Sequence, residues 1–116
     1  MSKKPTPATS GINGRWNIVE MDLWDREALD LVAPAFIDFS PDQTGSLGFI
    51  VVTGWIDWRA SEVDRFDVEF TWDGDDDGDH VSGRGWAALG DNDVLRGHLY
   101  FHLGDDTAFR AERFER

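Results

Sequence analysis

The chain has 116 residues, a net charge of −12, no cysteine, eight phenylalanines and six tryptophans; this is the size of one domain whose single core buries about two-thirds of its surface on folding. The missing cysteine excludes a disulfide framework, a thiolate zinc site and a cysteine nucleophile, and it suits a reducing cytoplasm. The charge repels nucleic acid and anionic lipid at long range, so neither direct nucleic-acid binding nor a membrane role is expected.

The first ten residues, Met1 to Ser10, carry Lys3 and Lys4 but no apolar stretch after them, which is not the pattern of a signal peptide, and no later segment approaches the ~20 apolar residues of a membrane span. Residues 1–12 are expected to be a disordered leader and residues 13–116 a single β-barrel domain. Gly14-Arg15-Trp16 opens a first strand that runs to about Met21. A short helix is expected over Trp24 to Val32, with Asp25 as N-cap, Ala28, Leu31 and Val32 on the face of Trp24, and Pro34 as its stop. Ala35 to Phe39 reads as a second strand, and Ser40 to Gly45 as a turn. Leu47 to Trp58 is the longest apolar run; its β-branched residues predict one long strand, bent or bulged at Gly48 and Gly54.

Phe66, Val68, Phe70 and Trp72 then alternate with Asp67, Glu69, Thr71 and Asp73, the period of a half-buried strand with aromatics on the core face and acids outside. The stretch Asp73 to Asp79 predicts a very acidic turn. Ser82–Leu89, Leu95–Leu103 and Thr107–Phe114 complete the strands, separated by turns at Gly90–Asp93 and Gly104–Asp106. The fold class is therefore all-β: a small antiparallel meander of about seven or eight strands closed into a barrel, with one short helix near the N-terminus capping a mouth.

Gly14-Arg15-Trp16 on the first strand, with Arg110 or Arg113 on the last, resembles the pattern of the calycin (lipocalin-like) superfamily. There a Gly-x-Trp begins the barrel and a terminal arginine packs over the indole. The early helix before a meander is similar too. The resemblance implies a calycin-like barrel, though the chain is shorter than ordinary lipocalins. The stretch from Trp72 through Gly83-Arg84-Gly85-Trp86 to Phe101–Asp106 also resembles short bacterial proteins of this size with no activity to carry over.

Several residues are candidates for chemistry. Asp73-x-Asp75-x-Asp77-Gly78 matches the opening half of a calcium loop, but the twelfth position is Arg84 where a bidentate glutamate is needed, so a solvated hairpin turn is the expectation. Ten acids lie between Asp57 and Asp79 against Arg59 and Arg65. Asp67, Glu69, Asp73, Asp75, Asp76, Asp77 and Asp79 form a candidate acidic interaction face. Strict alternation puts Leu99, Phe101 and Leu103 in the core and His98, Tyr100 and His102 outside. His98 and His102 are about 13 Å apart on one strand and cannot share a metal without a bend. With the alternation inverted, His98, Tyr100 and His102 would line a lumen beside Arg84 and Trp86, fit for a small anion or planar ligand, with Arg84 and Arg110 gripping a carboxylate. Arg84, Trp86, His98, Tyr100 and Arg110 are thus the candidate ligand-binding residues. Trp55 and Trp58 have opposite parity, so one of them needs a second layer or a partner.

No nucleophile elbow, phosphate loop, metal site or cofactor motif is present, and no catalytic residue is assigned. The leading expectation is a non-enzymatic cytoplasmic barrel, monomer or homodimer, that binds a small molecule inside it or a partner protein. The alternatives are an acidic protein that neutralises a basic partner or mimics nucleic acid, and a small hydrolase or isomerase using the barrel cavity.

Overall fold

A computed structural model describes residues 11–62 and 65–114. The chain forms a closed antiparallel barrel of eight strands, each paired with its sequence neighbours and β1 closing onto β8. The strands are β1 (Gly14–Met21), β2 (Phe36–Phe39), β3 (Thr44–Phe49), β4 (Val52–Ala60), β5 (Val68–Asp76), β6 (Asp79–Leu89), β7 (Val94–Phe101) and β8 (Asp106–Arg113). Closure leaves no strand at a sheet edge, so each strand has a neighbour on both sides without a second layer. The four connections β1–β2, β3–β4, β5–β6 and β7–β8 gather at one end, here the upper mouth. The other connections and both termini of the described barrel lie at the lower mouth.

The alternation read from Phe66 holds from Val68 on, where Val68, Phe70 and Trp72 are buried while Glu69 and Thr71 are exposed, but fails at Phe66, expected on the core face. Phe66 precedes the strand and lies half-buried on the outer wall. Inside, large rings fill the barrel. Phe39 meets Trp58 and Phe70 at 6.1 and 6.0 Å, and Trp72 meets Phe101 edge-on at 5.1 Å, geometries that suit the aromatic quadrupole. Buried indole N–H groups donate to backbone carbonyls: Trp16 to Ile12, Trp58 to Ser40 and Thr44, and Trp72 to Tyr100. Inward glycines make room for these rings. A Cβ at Gly85 would come within 2.5 Å of both the Phe70 ring and the His98 carbonyl oxygen.

The lower mouth is sealed by the start and end of the barrel. Trp16 is fully buried, and the Arg113 guanidinium lies 3.9 Å above its ring. The same guanidinium donates to the carbonyls of Asn13 and Gly11. Of the two arginines considered for this position, Arg113 takes it. Residues 1–10 of the expected leader lie outside the described residues, whereas Ile12 is fully buried, so packing begins before residue 13.

Three sequence expectations need correction. The run Leu47 to Trp58 is a hairpin, not one strand: β3 and β4 pair through Phe49↔Val52, with Ile50 and Val51 as the tip. Ile50 takes φ +56° there, unfavourable for a β-branched residue, but its N–H docks on the Leu29 carbonyl at 2.8 Å. Gly48 and Gly54 are paired strand residues rather than bends. The helix, α1, spans only Arg26–Leu29. Asp25 does cap it, accepting from the Ala28 N–H, but Asp30 ends it by accepting from the Ala35 N–H at 2.9 Å and turning the chain toward β2. Leu31 and Val32 are consequently exposed rather than packed beside Trp24. Finally, β7 stops at Phe101, and Leu103 sits in the following turn at φ +58° and is 94 % exposed, not in the core.

Candidate functional site

With the interior filled by rings, the polar and charged candidates lie on the outside of the barrel. Cross-strand register orders them in rows. One row runs Arg15, Asp38, Ser46, Trp55, Asp73, Ser82 from β1 through β6. A second runs Thr44, Asp57, Thr71, Arg84, Tyr100, Asp106 from β3 through β8. A third places Arg59 beside Glu69, Trp86, His98 and Ala108.

Arg84, Trp86, His98 and Tyr100 come together as a two-by-two block on β6 and β7. Arg84 lies 4.1 Å from the Tyr100 ring, His98 and Tyr100 rings are 4.7 Å apart, and Trp86 is sandwiched between Phe66 at 4.2 Å and His98 at 6.3 Å. His98 Nε2 also pairs with Asp106 Oδ2. The block faces outward because Gly85 and Leu99, the alternate positions, turn inward and are buried. The strict alternation that put His98 and Tyr100 outside therefore holds, and its inverted alternative, a lumen lined by His98, Tyr100, His102, Arg84 and Trp86, does not; His102 lies beyond the end of β7. Arg84 makes no ion pair among the described residues.

Arg110 does not join this block. It lies in register with Arg96, its Nε donates to Glu20 at 2.9 Å and its Nη1 to Glu112 at 3.2 Å. The hydrogen bond it donates to Glu20 raises its pKa above the ordinary arginine value. A guanidinium held by two carboxylates is not free to grip a third, which corrects the expectation that Arg110 works with Arg84.

The acidic candidates divide. Glu69, Asp73 and Asp75 project outward on β5 and are exposed. The acidic turn expected over Asp73 to Asp79 shrinks to Asp77 and Gly78, with φ of +53° and +98°, because β5 runs on to the half-buried Asp76 and β6 begins at Asp79 rather than Ser82. This is the Asp-Gly hairpin whose twist matches its strands, and Asp75 accepts from the Gly78 N–H at 2.9 Å. Asp67 turns away, accepting from the Leu89 N–H at 2.6 Å; it ties β5 to β6 rather than displaying charge. No group of three His, Asp or Glu side chains among the described residues is placed to hold a metal ion.

Trp55 is the residue that the outer wall singles out. Parity is settled in favour of Trp58 inside, and Trp55 stands outside at 75 % exposure. Trp16, Trp24, Trp58, Trp72 and Trp86 each contact another ring or a guanidinium. No such contact covers Trp55 among the described residues. Along its strand it is flanked by Thr53 and Asp57, and across from it by Ser46 and Asp73. Shallow depressions run on both sides of the indole, one bordered by Asp57, Thr71 and Ser82, the other by Phe36, Thr53 and Asp75. His80, opposite Asp75, reaches Asp73 at 2.6 Å; the sequence carried no signal for that pairing, since it depends on the hairpin register.

The fold and wall together define an eight-stranded antiparallel barrel with an acidic, aromatic exterior. No protein-family model, no curated protein and no solved structure matches this chain. No helix among the described residues is long and apolar enough to cross a membrane.

Proposed function

We propose that this protein is a non-enzymatic, calycin-like interaction module of the cytoplasm that docks a basic partner protein on the outer wall of β3 to β6. The observation that carries the reading is Trp55, uncovered at the centre of a wall bearing Asp57, Asp73 and Asp75. An exposed indole costs solubility unless a partner covers it, and tryptophan is the strongest of the aromatic faces for a guanidinium or ammonium group. The flanking carboxylates and the overall charge of −12 steer cations to that face and repel nucleic acid, a second copy and anionic surfaces. The packed interior favours this site over a small molecule inside the barrel.

The test is NMR titration with an arginine-rich peptide. The Trp55 indole N–H and the amides of Thr53, Asp57, Asp73 and Asp75 should shift first, with an affinity that falls steeply between low and physiological salt. Uniform shifts spread over every acidic position would refute a defined site.

A second reading has one observation in its favour. Arg84, in no ion pair among the described residues, borders an outer groove with Arg59, Phe66, Trp86 and the carboxylates of Asp57 and Glu69, so its free guanidinium face is where a small planar anion would lie. Loss of aromatic-carboxylate binding in Arg84→Ala would support that reading.

A further inference from the structure

Four large aliphatic side chains have no role in the fold or in the outer wall. Leu23 is 45 % exposed, Leu31 65 %, Val32 72 % and Leu103 94 %. They sit on the β1–β2 and β7–β8 connections, both at the upper mouth and adjacent because β8 pairs with β1. The Leu23 N–H reaches Thr107 Oγ1 at 3.4 Å, which ties the first connection to the start of β8. Trp24 joins the connections to the β3–β4 tip, its ring 6.5 Å from Phe101 and 5.7 Å from Phe49. Ile50, at that tip, is bonded to Leu29 just before Leu31 and Val32. The exposed aliphatics thus share the upper mouth with a partly buried floor of Trp24, Ile50 and Phe101. A single exposed leucine is ordinary, but several on two neighbouring connections, at the end of the barrel that carries the aromatic floor, make a patch.

Charge decides what can cover it. Asp22, Asp25, Glu27, Asp77, Asp79 and Asp105 are exposed on the same end, and the arginine of α1, Arg26, is paired with Asp30 at 3.2 Å. A second copy would bring two such rims together, and an anionic lipid surface would meet the same repulsion. A neutral apolar segment would bury the patch but leave the rim without counter-charge. We infer that the upper mouth docks an amphipathic basic segment of a partner protein, its aliphatic side chains on the Trp24 floor and its lysines or arginines against the acidic rim. The upper mouth shares with the proposed function the sign of the partner's charge and nothing else, because it involves no residue of the Trp55 wall.

The test uses three labelled peptides: an amphipathic leucine–lysine helix, a scrambled peptide of the same composition, and an amphipathic leucine–glutamine helix. Affinities are read by fluorescence anisotropy at physiological salt. The full chain should prefer the amphipathic basic peptide to both others by at least about tenfold. The double variant Val32→Ser with Leu103→Ser keeps the net charge and should keep the melting temperature, yet lose that preference; Trp55→Ala should retain it. Equal binding of the amphipathic and scrambled basic peptides, an unchanged preference in the double variant, loss of the preference in Trp55→Ala, or no binding at all would each overturn the inference. Equal binding of both basic peptides that nevertheless weakens in Trp55→Ala would overturn the mouth alone and leave the wall reading standing.

Discussion

Removing Arg113 tests how the barrel is closed. Its guanidinium covers the buried Trp16 ring at 3.9 Å and donates to the carbonyls of Asn13 and Gly11, tying the segment before β1 to the end of β8. Cation–π contact with a largely covered indole contributes about 0.5–2 kcal/mol. Each charge-assisted hydrogen bond adds about 1.5 kcal/mol at the low end of its range, reduced here because the side chain keeps 28 % of its exposure. Arg113→Ala should therefore cost about 2–4 kcal/mol. Arg113→Lys keeps the cation but not the planar fork, so it cannot reach both carbonyls and cover the ring, and should lose about half as much. Urea unfolding reads this as a lower midpoint at constant m-value. A midpoint for Arg113→Ala within about 0.5 kcal/mol of the parent, or Arg113→Lys equal to the parent, would show that Ile12 seals the lower mouth without the arginine.

Three further outcomes are expected. Phe70→Ala, which removes a ring packed on Phe39, should cost about 3–5 kcal/mol by chemical denaturation; near-neutral stability would contradict the inward parity of β5. Gly83→Ala would place a Cβ 1.7 Å from the Tyr100 carbonyl oxygen, so the variant should lose its cooperative melt or melt far below the parent. Asp42 accepts from the Thr44 hydroxyl and N–H, which hold its carboxyl below the usual 3.8. Because its folded pKa is the lower one, its contribution to stability is present above pH 3.8 and fades as pH falls through the folded value. In Thr44→Ala, NMR titration should show the Asp42 carboxyl moving back up toward 3.8.

The barrel was legible wherever local pattern and tertiary demand agreed. Val68 to Trp72 alternates in sequence and in burial, and Asp77-Gly78 carries the residues that a tight hairpin needs. The β3–β4 hairpin was not legible, because Ile50 and Val51 favour continued strand. Their turn is imposed by the bond from Ile50 to Leu29 and by barrel closure. Leu31, Val32 and Leu103 misled for a related reason: hydrophobic spacing presumes that the element continues, and α1 and β7 both stop short of them. At the site, parity alone required that Trp55 and Trp58 face opposite ways, but not which one turned outward. That choice follows from register, which sets Trp58 opposite Phe70 and Trp55 opposite Asp73. Arg84, Trp86, His98 and Tyr100 could be grouped from two strands, while the carboxylates that occupy Arg110 come partly from β1, at the far end of the chain.

Docking on the outer wall depends on Trp55, and affinity for an arginine-rich peptide in the parent and in Trp55→Ala is the measurement that tests it. Trp55 is uncovered, so the variant should unfold within about 0.5 kcal/mol of the parent. It should nevertheless bind about thirtyfold more weakly, the loss of roughly 2 kcal/mol that a tryptophan anchor commonly represents. Equal affinity in the two proteins would mean that the acidic field attracts cations without a docking site, and the wall would lose its assigned function.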